Sequence, residues 1–364
     1  MRIVKKIFKT LGILLSVVVL FVIVYVAYVF IQYYRIEDNQ VLEIENNQTS
    51  EFNKNDTLTL SSYNIGFGAY SQEYSFFLDE GERKDGTKTK GIYSKALSKE
   101  DTIKNMNGII DTIKELNVDF MFFQEVDVKA NRSYFVNEYE QIKDTFNNYT
   151  SIYACNLHTA YLLYPLNDFM GKAEAGIVTL SKYKVDSSIR KQFPLSDSKF
   201  DNLFDLDRAF SVTRIKVDSK DLVLINIHMS AYDEGGIVRA KQLVVLNQIL
   251  EEEKDNYVIV GGDFNHLLND VKFDTELKDA DWAAPFDFAS LNPNYKVYAG
   301  SNAPTCRSSD IPYEKGVNNF VIIDGFICNN NIEVIKTEVI DTEFKYSDHN
   351  PTVLTFKLKQ EIVW

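Results

Sequence analysis

The stretch Val258-Ile259-Val260-Gly261-Gly262-Asp263-Phe264-Asn265-His266 sets an acid and an amide at alternate positions just beyond a short apolar run. The run reads as a buried strand. Two glycines let the backbone turn tightly at its end. A carboxylate beside an amide, at the end of a buried strand, suits a hydrated divalent cation and a phosphate. The plainer reading is an Asx-rich turn. The rest of the chain decides between them.

The same placement recurs. Residues 120–123 read as a buried strand that delivers Gln124 and Glu125 at its end. A glutamate there is costly without a partner, and a metal ion is one. Residues 222–227 form a strongly apolar strand that ends at His228, one of four histidines. Residues 58–65 alternate and stop at Gly66-Phe67-Gly68, with Asn64 near the end. Taken alone, Asn64 reads as a turn residue. Asp324 lies among apolar neighbours after residues 320–323 and needs a partner. Asp348 and His349 precede a closing strand at 353–358, but an Asp-His pair alone means little.

Helices connect these strands. Ser98 with Asp101 resembles a capping box. Ile103, Met106, Ile109, Ile110, Ile113 and Leu116 follow at helical spacing. Ile237, Ala240, Leu243, Val244, Asn247 and Leu250 mark a second helix, before the stretch that ends in Asp263. Strand, helix, strand thus occurs twice, once with Asn64 and Glu125 and once with His228 and Asp263. The spacing predicts two similar halves that present polar groups at one rim.

Between these units the pattern weakens. Residues 70–97 read as a long surface loop rich in cations, with Arg83, Lys84, Lys88, Lys90 and Lys95. Residues 128–170 show no clear periodicity. Residues 270–318 are loop-rich, and their aromatic stretch from Trp282 to Tyr298 reads either as ordinary core or as a hold for an apolar or sugar moiety.

Composition places the bulk of the chain among globular proteins: of 364 residues, 45% are apolar and 25% charged. Residues 11–31 carry no charge and match the roughly 20 residues that span a bilayer. Arg2, Lys5, Lys6 and Lys9 precede the run, which predicts a cytoplasmic N-terminus and an external remainder. The run ends bulky and aromatic, unlike a signal-peptide cleavage site. The expected organisation is a cytoplasmic segment 1–10, a transmembrane anchor 11–31, a polar solvated linker 32–55 and a catalytic domain 56–364. The three cysteines, Cys155, Cys306 and Cys328, exclude a disulfide scaffold, though one bridge such as Cys306 with Cys328 stays open.

Six segments carry a family resemblance: SSYNIG with Asn64, FFQEVD with Glu125, INIHMS with His228, GGDFNH with Asp263 and Asn265, IIDGFI with Asp324, and YSDHNP with Asp348 and His349. In this order they resemble the endonuclease/exonuclease/phosphatase superfamily, the fold of DNase I, exonuclease III-type repair enzymes, neutral sphingomyelinases and inositol polyphosphate 5-phosphatases. The resemblance implies a four-layer α/β sandwich of two mixed sheets with helices outside. It also implies the roles. Glu125 would bind a divalent cation, magnesium with manganese as a substitute, with Asn64 and Asp348 close by. Asp263 would orient or deprotonate the attacking water. Asn265 and His228 would hold the phosphate and the leaving oxygen, and His349, paired with Asp324, would face the phosphate.

The expected function is therefore a membrane-anchored, extracytoplasmic phosphoesterase at the plasma membrane, with no protein partner indicated. A phospholipid head group, a small metabolite or nucleic acid could be its substrate. A surface-tethered nuclease is the alternative, weakened by a net charge of −13. An inactive binding module of the same fold is another, though no motif carboxylate is missing.

Overall fold

Helix α1 (Arg2–Gln32) opens the chain with its apolar side chains almost wholly exposed. It is long and apolar enough to cross a membrane, a property that signal sequences share. The computed structural model describes residues 2–198, 201–203, 206–231, 236–278 and 283–360, so Trp282 and residues 361–364 lie outside it.

The chain continues through β1 (Gln40–Val41), β2 (Leu58–Asn64), β3 (Glu80–Glu82), β4 (Lys88–Lys90), α2 (Lys99–Leu116), β5 (Phe120–Asp127), α3 (Glu138–Thr145), β6 (Thr150–His158), β7 (Glu174–Ser181) and β8 (Ser187–Gln192). Next come β9 (Ala209–Val217), β10 (Lys220–His228), α4 (Ile237–Glu252), β11 (Tyr257–Asp263), β12 (Tyr295–Tyr298), β13 (Cys306–Arg307), β14 (Phe320–Val321), β15 (Asp324–Asn329), β16 (Ile332–Val339) and β17 (Thr352–Leu358).

Two large mixed sheets result. One has seven strands in the order β1-β8-β9-β10-β11-β15-β12, and the other six in the order β16-β17-β2-β5-β7-β6. Each holds a parallel pair, β2 with β5 and β10 with β11. A parallel pair needs a long crossover, and α2 and α4 supply the two. The expected doubled strand–helix–strand unit is present, one copy in each sheet.

Alternation along the strands builds the layers. Leu58, Leu60, Phe120 and Phe122 of one sheet meet Leu222, Leu224, Tyr257 and Ile259 of the other in a single buried cluster. On the outer face of the six-stranded sheet, Met106, Ile109, Ile110 and Ile113 of α2 and Ile142 of α3 pack on Tyr63, Met121 and Phe123. On the other outer face, Leu243, Leu246, Ile249 and Leu250 of α4 pack on Val223, Ile225, Val258 and Val260. The order helix, sheet, sheet, helix is the four-layer sandwich.

Further along the same inner faces, apolar residues give way to polar ones. Gln124 donates to Oδ1 of Asn226 at 2.8 Å and bonds Ser62 at 3.3 Å, while Asn226 donates to the Val178 carbonyl at 2.9 Å. These buried bonds cross between the sheets and hold them in register. One inward-facing position beyond them lie Asn64, His228 and Asp263.

Some elements differ from expectation. Helix α4 is rotated: Ile237 and Val244 face solvent, while Arg239 and Gln242 are buried. These two polar residues fasten the loops that leave the strands, with Arg239 donating to the Asn265 carbonyl at 2.6 Å and Gln242 bonding Ser230 at 2.9 Å. The expected solvated spacer is instead laid along the domain. β1 pairs antiparallel with β8, and Glu45 exchanges two backbone bonds of 2.9 Å with Ser151. Leu42, Ile44 and Phe52 pack on the main core, an apolar signal masked by the acids around it. The cation-rich 70–97 segment contains the β3–β4 hairpin, whose lysines are paired: Lys90 with Glu80 and Lys88 with Glu82. Residues 128–170 contain α3 and β6. All three cysteines are free, so Cys306 and Cys328 form no bridge.

Candidate active site

The strand registers set the site. His228 lies opposite Asp263 in the parallel pair, Asp263 opposite Asp324 in the antiparallel one, and Asn64 opposite Gln124. Asn64, His228, Asp263 and Asp324 are strand ends at the same rim.

Asn64 ties the two sheets together. Its Nδ2 donates to Oδ2 of Asp263 at 3.1 Å and to Oε1 of Glu125 at 3.2 Å, and its Oδ1 accepts from the Gly66 amide at 3.0 Å. The amide therefore serves here as a clamp between two carboxylates. Nε2 of His228 lies 3.6 Å from Oδ2 of Asp263 and 3.8 Å from Oε1 of Glu125. On the other side, Nε2 of His349 lies 3.8 Å from the same Asp263 oxygen, while its Nδ1 is 2.8 Å from Oδ2 of Asp324. Glu125, His228, Asp263, Asn265, Asp348 and His349 all line one pocket of about 370 Å³. Asn64 and Asp324 stand behind that lining, each bonded to a residue in it.

Local backbone geometry aims these groups. Simple alternation would send Glu125 away from the pocket, because Gln124 already faces inward. Glu125 adopts φ 57°, and the pairing with β7 shifts between Phe123 and Val126. That kink turns its carboxylate to the rim. A left-handed non-glycine residue costs about 1–3 kcal/mol, a cost concentrated at functional sites. Asn265 is also left-handed, at φ 50°. Its side chain donates to the Met229 carbonyl at 2.9 Å, and its amide N–H to Oδ1 of Asp263 at 2.9 Å. Gly262 has φ 146°, and a Cβ there would sit 2.0 Å from the Ile227 carbonyl oxygen, so only glycine fits.

Electrostatics separate the roles. Burial, reinforced by the charge of Asp324, pushes the Asp263 carboxyl up to about 7. Burial and the facing charge of Asp348 raise Glu125 above the usual carboxylate range, and burial raises Asp348. Burial alone would neutralise His349, but the Asp324 carboxylate and its neighbour Cys306 outweigh it and hold the ring well above its ordinary value. His228 goes the other way: burial, with Arg208 adding to it, drops it well below. The surroundings thus favour the charged form of one histidine and the neutral form of the other.

Two repelling carboxylates at an open rim, Glu125 and Asp348, are the hard oxygen donors that a small divalent cation prefers, and such an ion would remove their repulsion. Ligand-capable atoms also converge to within 4.8 Å in two groups that share His349, one with Cys306 and Asp348 and one with Asp263 and Asp324. His349 already has its Nδ1 engaged by Asp324 at 2.8 Å, and that carboxylate favours its protonated form, which favours the Glu125–Asp348 side.

Three pocket-lining arginines escaped the sequence reading: Arg132, Arg208 and Arg307. Arg132 is paired with Asp127 at 2.8 Å and lies 3.9 Å above the Phe67 ring centroid. Arg208 donates to the Met229 carbonyl at 2.9 Å, and Arg307 to that of Ser71 at 3.1 Å. Their only signal was position: Arg208 directly precedes β9, and Arg307 lies in β13. The 282–298 stretch takes the ordinary-core reading, and other aromatics wall the pocket. Phe67, Tyr70 and Phe76 line the pocket, whereas Phe286 and Tyr295 belong to the core beneath α4.

A model of the endonuclease/exonuclease/phosphatase family matches residues 62–349. Among solved structures, an endonuclease/exonuclease/phosphatase from Beutenbergia cavernae DSM 12333 is similar at TM-score 0.55 and 14% identity, over 83% of this chain and 72% of that one. ANGEL2, a 2',3'-cyclic phosphatase in complex with adenosine-2',3'-vanadate, is similar at TM-score 0.53 and 14% identity, over 89% and 99%. TDP2 of D. rerio, complexed with single-strand DNA product, is similar at TM-score 0.51 and 15% identity, over 83% and 99%. No curated protein matches the chain in sequence.

Proposed function

The chain belongs to the endonuclease/exonuclease/phosphatase family, whose members are metal-dependent hydrolases of phosphate esters, and we propose that it is a membrane-anchored, extracytoplasmic enzyme of this kind that uses magnesium. The observation that carries this reading is Asp263 itself. It is a buried carboxyl with the Nε2 atoms of two imidazoles, His228 and His349, 3.6 and 3.8 Å from its Oδ2, and burial raises it to about 7. A general base works best with a pKa near the working pH.

Glu125 and Asp348 would hold the ion, with Asn64 fixing Glu125 from behind. When bound, magnesium neutralises the phosphate oxygens and supports the charge that develops on them. Asp263 takes a proton from water as the water oxygen bonds to phosphorus. The ester P–O bond then breaks, and its electron pair stays with the leaving oxygen. That proton returns to the leaving oxygen through solvent, so water is the only other reactant. The His349 imidazolium, held by Asp324, faces the phosphate charge. Asn265 and His228 position the phosphate and the leaving oxygen, and Arg132 and Arg208 add two cations to the wall.

Helix α1 is the anchor in this reading, with its N-terminus cytoplasmic because basic residues precede the apolar run. The domain then lies outside the plasma membrane and meets lipid head groups or small phosphate esters. Two of the structural relatives carry nucleotide ligands, which keeps a nuclease as the second reading. Against it stand the net charge of −13, the paired lysines of the β3–β4 hairpin, and the acids Asp79, Glu80 and Asp310 at the pocket. The test offers the purified full chain phospholipid vesicles, sugar phosphates, DNA and RNA, with magnesium or chelator. Magnesium-dependent release of phosphate or head group supports the reading. Rapid cleavage of nucleic acid alone would replace it with the nuclease, and equal activity in chelator would overturn the metal.

A further inference from the structure

Residues 161–170 form a hairpin-like excursion closed by the Leu162–Gly171 bridge, and its tip is unusually apolar for a surface loop. Leu166 is 82% exposed and Tyr164 57%, with Tyr161 and Phe169 also exposed. Such a tip in water is unfavourable unless something apolar covers it.

The neighbour of this hairpin identifies the cover. The Leu163 amide donates to the Tyr25 hydroxyl at 2.8 Å, Tyr25 is 3.2 Å from the Tyr161 carbonyl, and the Tyr161 amide lies 3.3 Å from the Tyr28 hydroxyl. Val29 is buried against Ala160 and Leu203. Tyr25 and Tyr28 lie inside the apolar run 11–31, about 4–9 Å before its last residue, Ile31, at the rise of an α-helix. The run is only about as long as a bilayer is thick, so a span that uses all of it keeps these tyrosines within the membrane. The hairpin bonded to them sits at interfacial depth.

The geometry points to the hairpin 161–170 as a second membrane contact, whose tip enters the head-group region beside α1. This rests on the anchored reading above and extends it. Two links then fix the pocket close to the bilayer. The Tyr164 ring lies 5.6 Å from that of Phe77, which adjoins the pocket-lining Phe76 and Leu78. Arg35, the first charge after the apolar run, pairs with Asp207 at 2.8 Å, and the residues on either side of Asp207, Leu206 and Arg208, line the pocket. The pocket therefore faces phosphate esters at the level of the head groups.

The test places a fluorophore that responds to polarity on Leu166→Cys in the full chain, with Cys155→Ser to keep the label single. Ile335→Cys on β16, at the opposite edge of the sheet, is the comparison. The protein is reconstituted into phosphatidylcholine–phosphatidylglycerol vesicles containing lipids with a nitroxide near the head group. Emission at 166 should be quenched about threefold more than at 335, as burial in the head-group region requires. Equal quenching in protein that resists carbonate extraction overturns the hairpin contact and leaves the anchor intact. Protein that leaves the vesicles in carbonate overturns the anchor and this inference with it. Shielding that tracks protein concentration rather than lipid means a second copy covers the tip, and overturns it too. Magnesium-dependent hydrolysis of a soluble phosphodiester by the same variants reports separately on the enzymatic reading.

Discussion

Asp324 holds His349 across the gap between the two sheets, with its Oδ2 2.8 Å from the ring Nδ1 and both side chains buried. Asp324 begins β15 of the seven-stranded sheet, and His349 lies shortly before β17 of the six-stranded one. The pair thus joins the two halves, as Asn64 does on the other flank. Burial opposes charge on the ring, and the carboxylate wins.

Asp324→Asn should let the His349 pKa fall from its raised value. Turnover should drop by about a hundredfold, the usual size of a lost charge-stabilising group. An NMR titration of the ring reads the first effect and steady-state kinetics the second. A ring that stays protonated as in the parent would mean that Asp324 is not what charges it.

Asp263→Asn should lower turnover by about a hundredfold or more. The melting temperature should not fall, because the change removes a buried carboxylate that its surroundings disfavour. Near-normal turnover would take the base role away from Asp263.

Glu125→Gln and Asp348→Asn should each weaken magnesium binding by at least about tenfold, measured by calorimetry. The fold should persist by circular dichroism. Unchanged affinity in both variants would move the ion to another part of the rim.

Without metal, stability should depend on pH in a set direction. The folded Asp263 carboxyl, at about 7, lies above the unfolded value of 3.8. Its contribution is full below the unfolded value and is lost as pH rises through about 7. Glu125 and Asp348 are raised too, and His349 is raised above 6.5, so all act in the same direction. His228, lowered below 6.5, opposes them only at more acid pH. In chelator the melting temperature should therefore rise by about 2 °C or more from pH 8.5 to 6.5. Magnesium should stabilise more at the higher pH, where the carboxylates are charged. A chelated protein that melts higher at pH 8.5 would contradict the assigned shifts.

Gly262→Ala should be strongly destabilising, by at least about 3 kcal/mol, because the new Cβ would meet a carbonyl and the left-handed φ adds strain. Denaturant unfolding measures it. A loss under about 1 kcal/mol would mean that the β11 end can shift.

Much of the site was legible because strand ends announce themselves: an apolar run followed at once by a single polar residue. Glu125, His228 and Asp263 were read this way, while Asn64 read alone as a turn residue and joined them through the family order; the structure brings all four to one rim. Asp324 was legible as an acid in an apolar strand, and its partner emerged only through the family order. The arginines were not legible, because Arg132, Arg208 and Arg307 come from segments far apart whose meeting depends on tertiary packing. The kink at Glu125 left no local trace either, since alternation predicts the opposite side. The docking of residues 36–55 was hidden by composition: acids outnumber Leu42, Ile44 and Phe52, yet these three suffice to lay the segment on the core.

On the proposed reading, in which α1 anchors the domain outside the membrane, that docked segment bears on how the domain could be released. A protease that sheds an ectodomain normally cuts a loose stalk and releases a finished globule. Here the stalk is part of the globule. Cleavage between Val41 and Asp56 followed by loss of the N-terminal piece would strip β1 from β8, exposing a bare sheet edge, and remove Arg35 from Asp207 beside the pocket. Exposed edges invite pairing with other chains. A shed form would therefore be sticky and altered at its catalytic mouth. Cleaving the full chain within 42–55 and following its aggregation and turnover would show whether release and activity are separable.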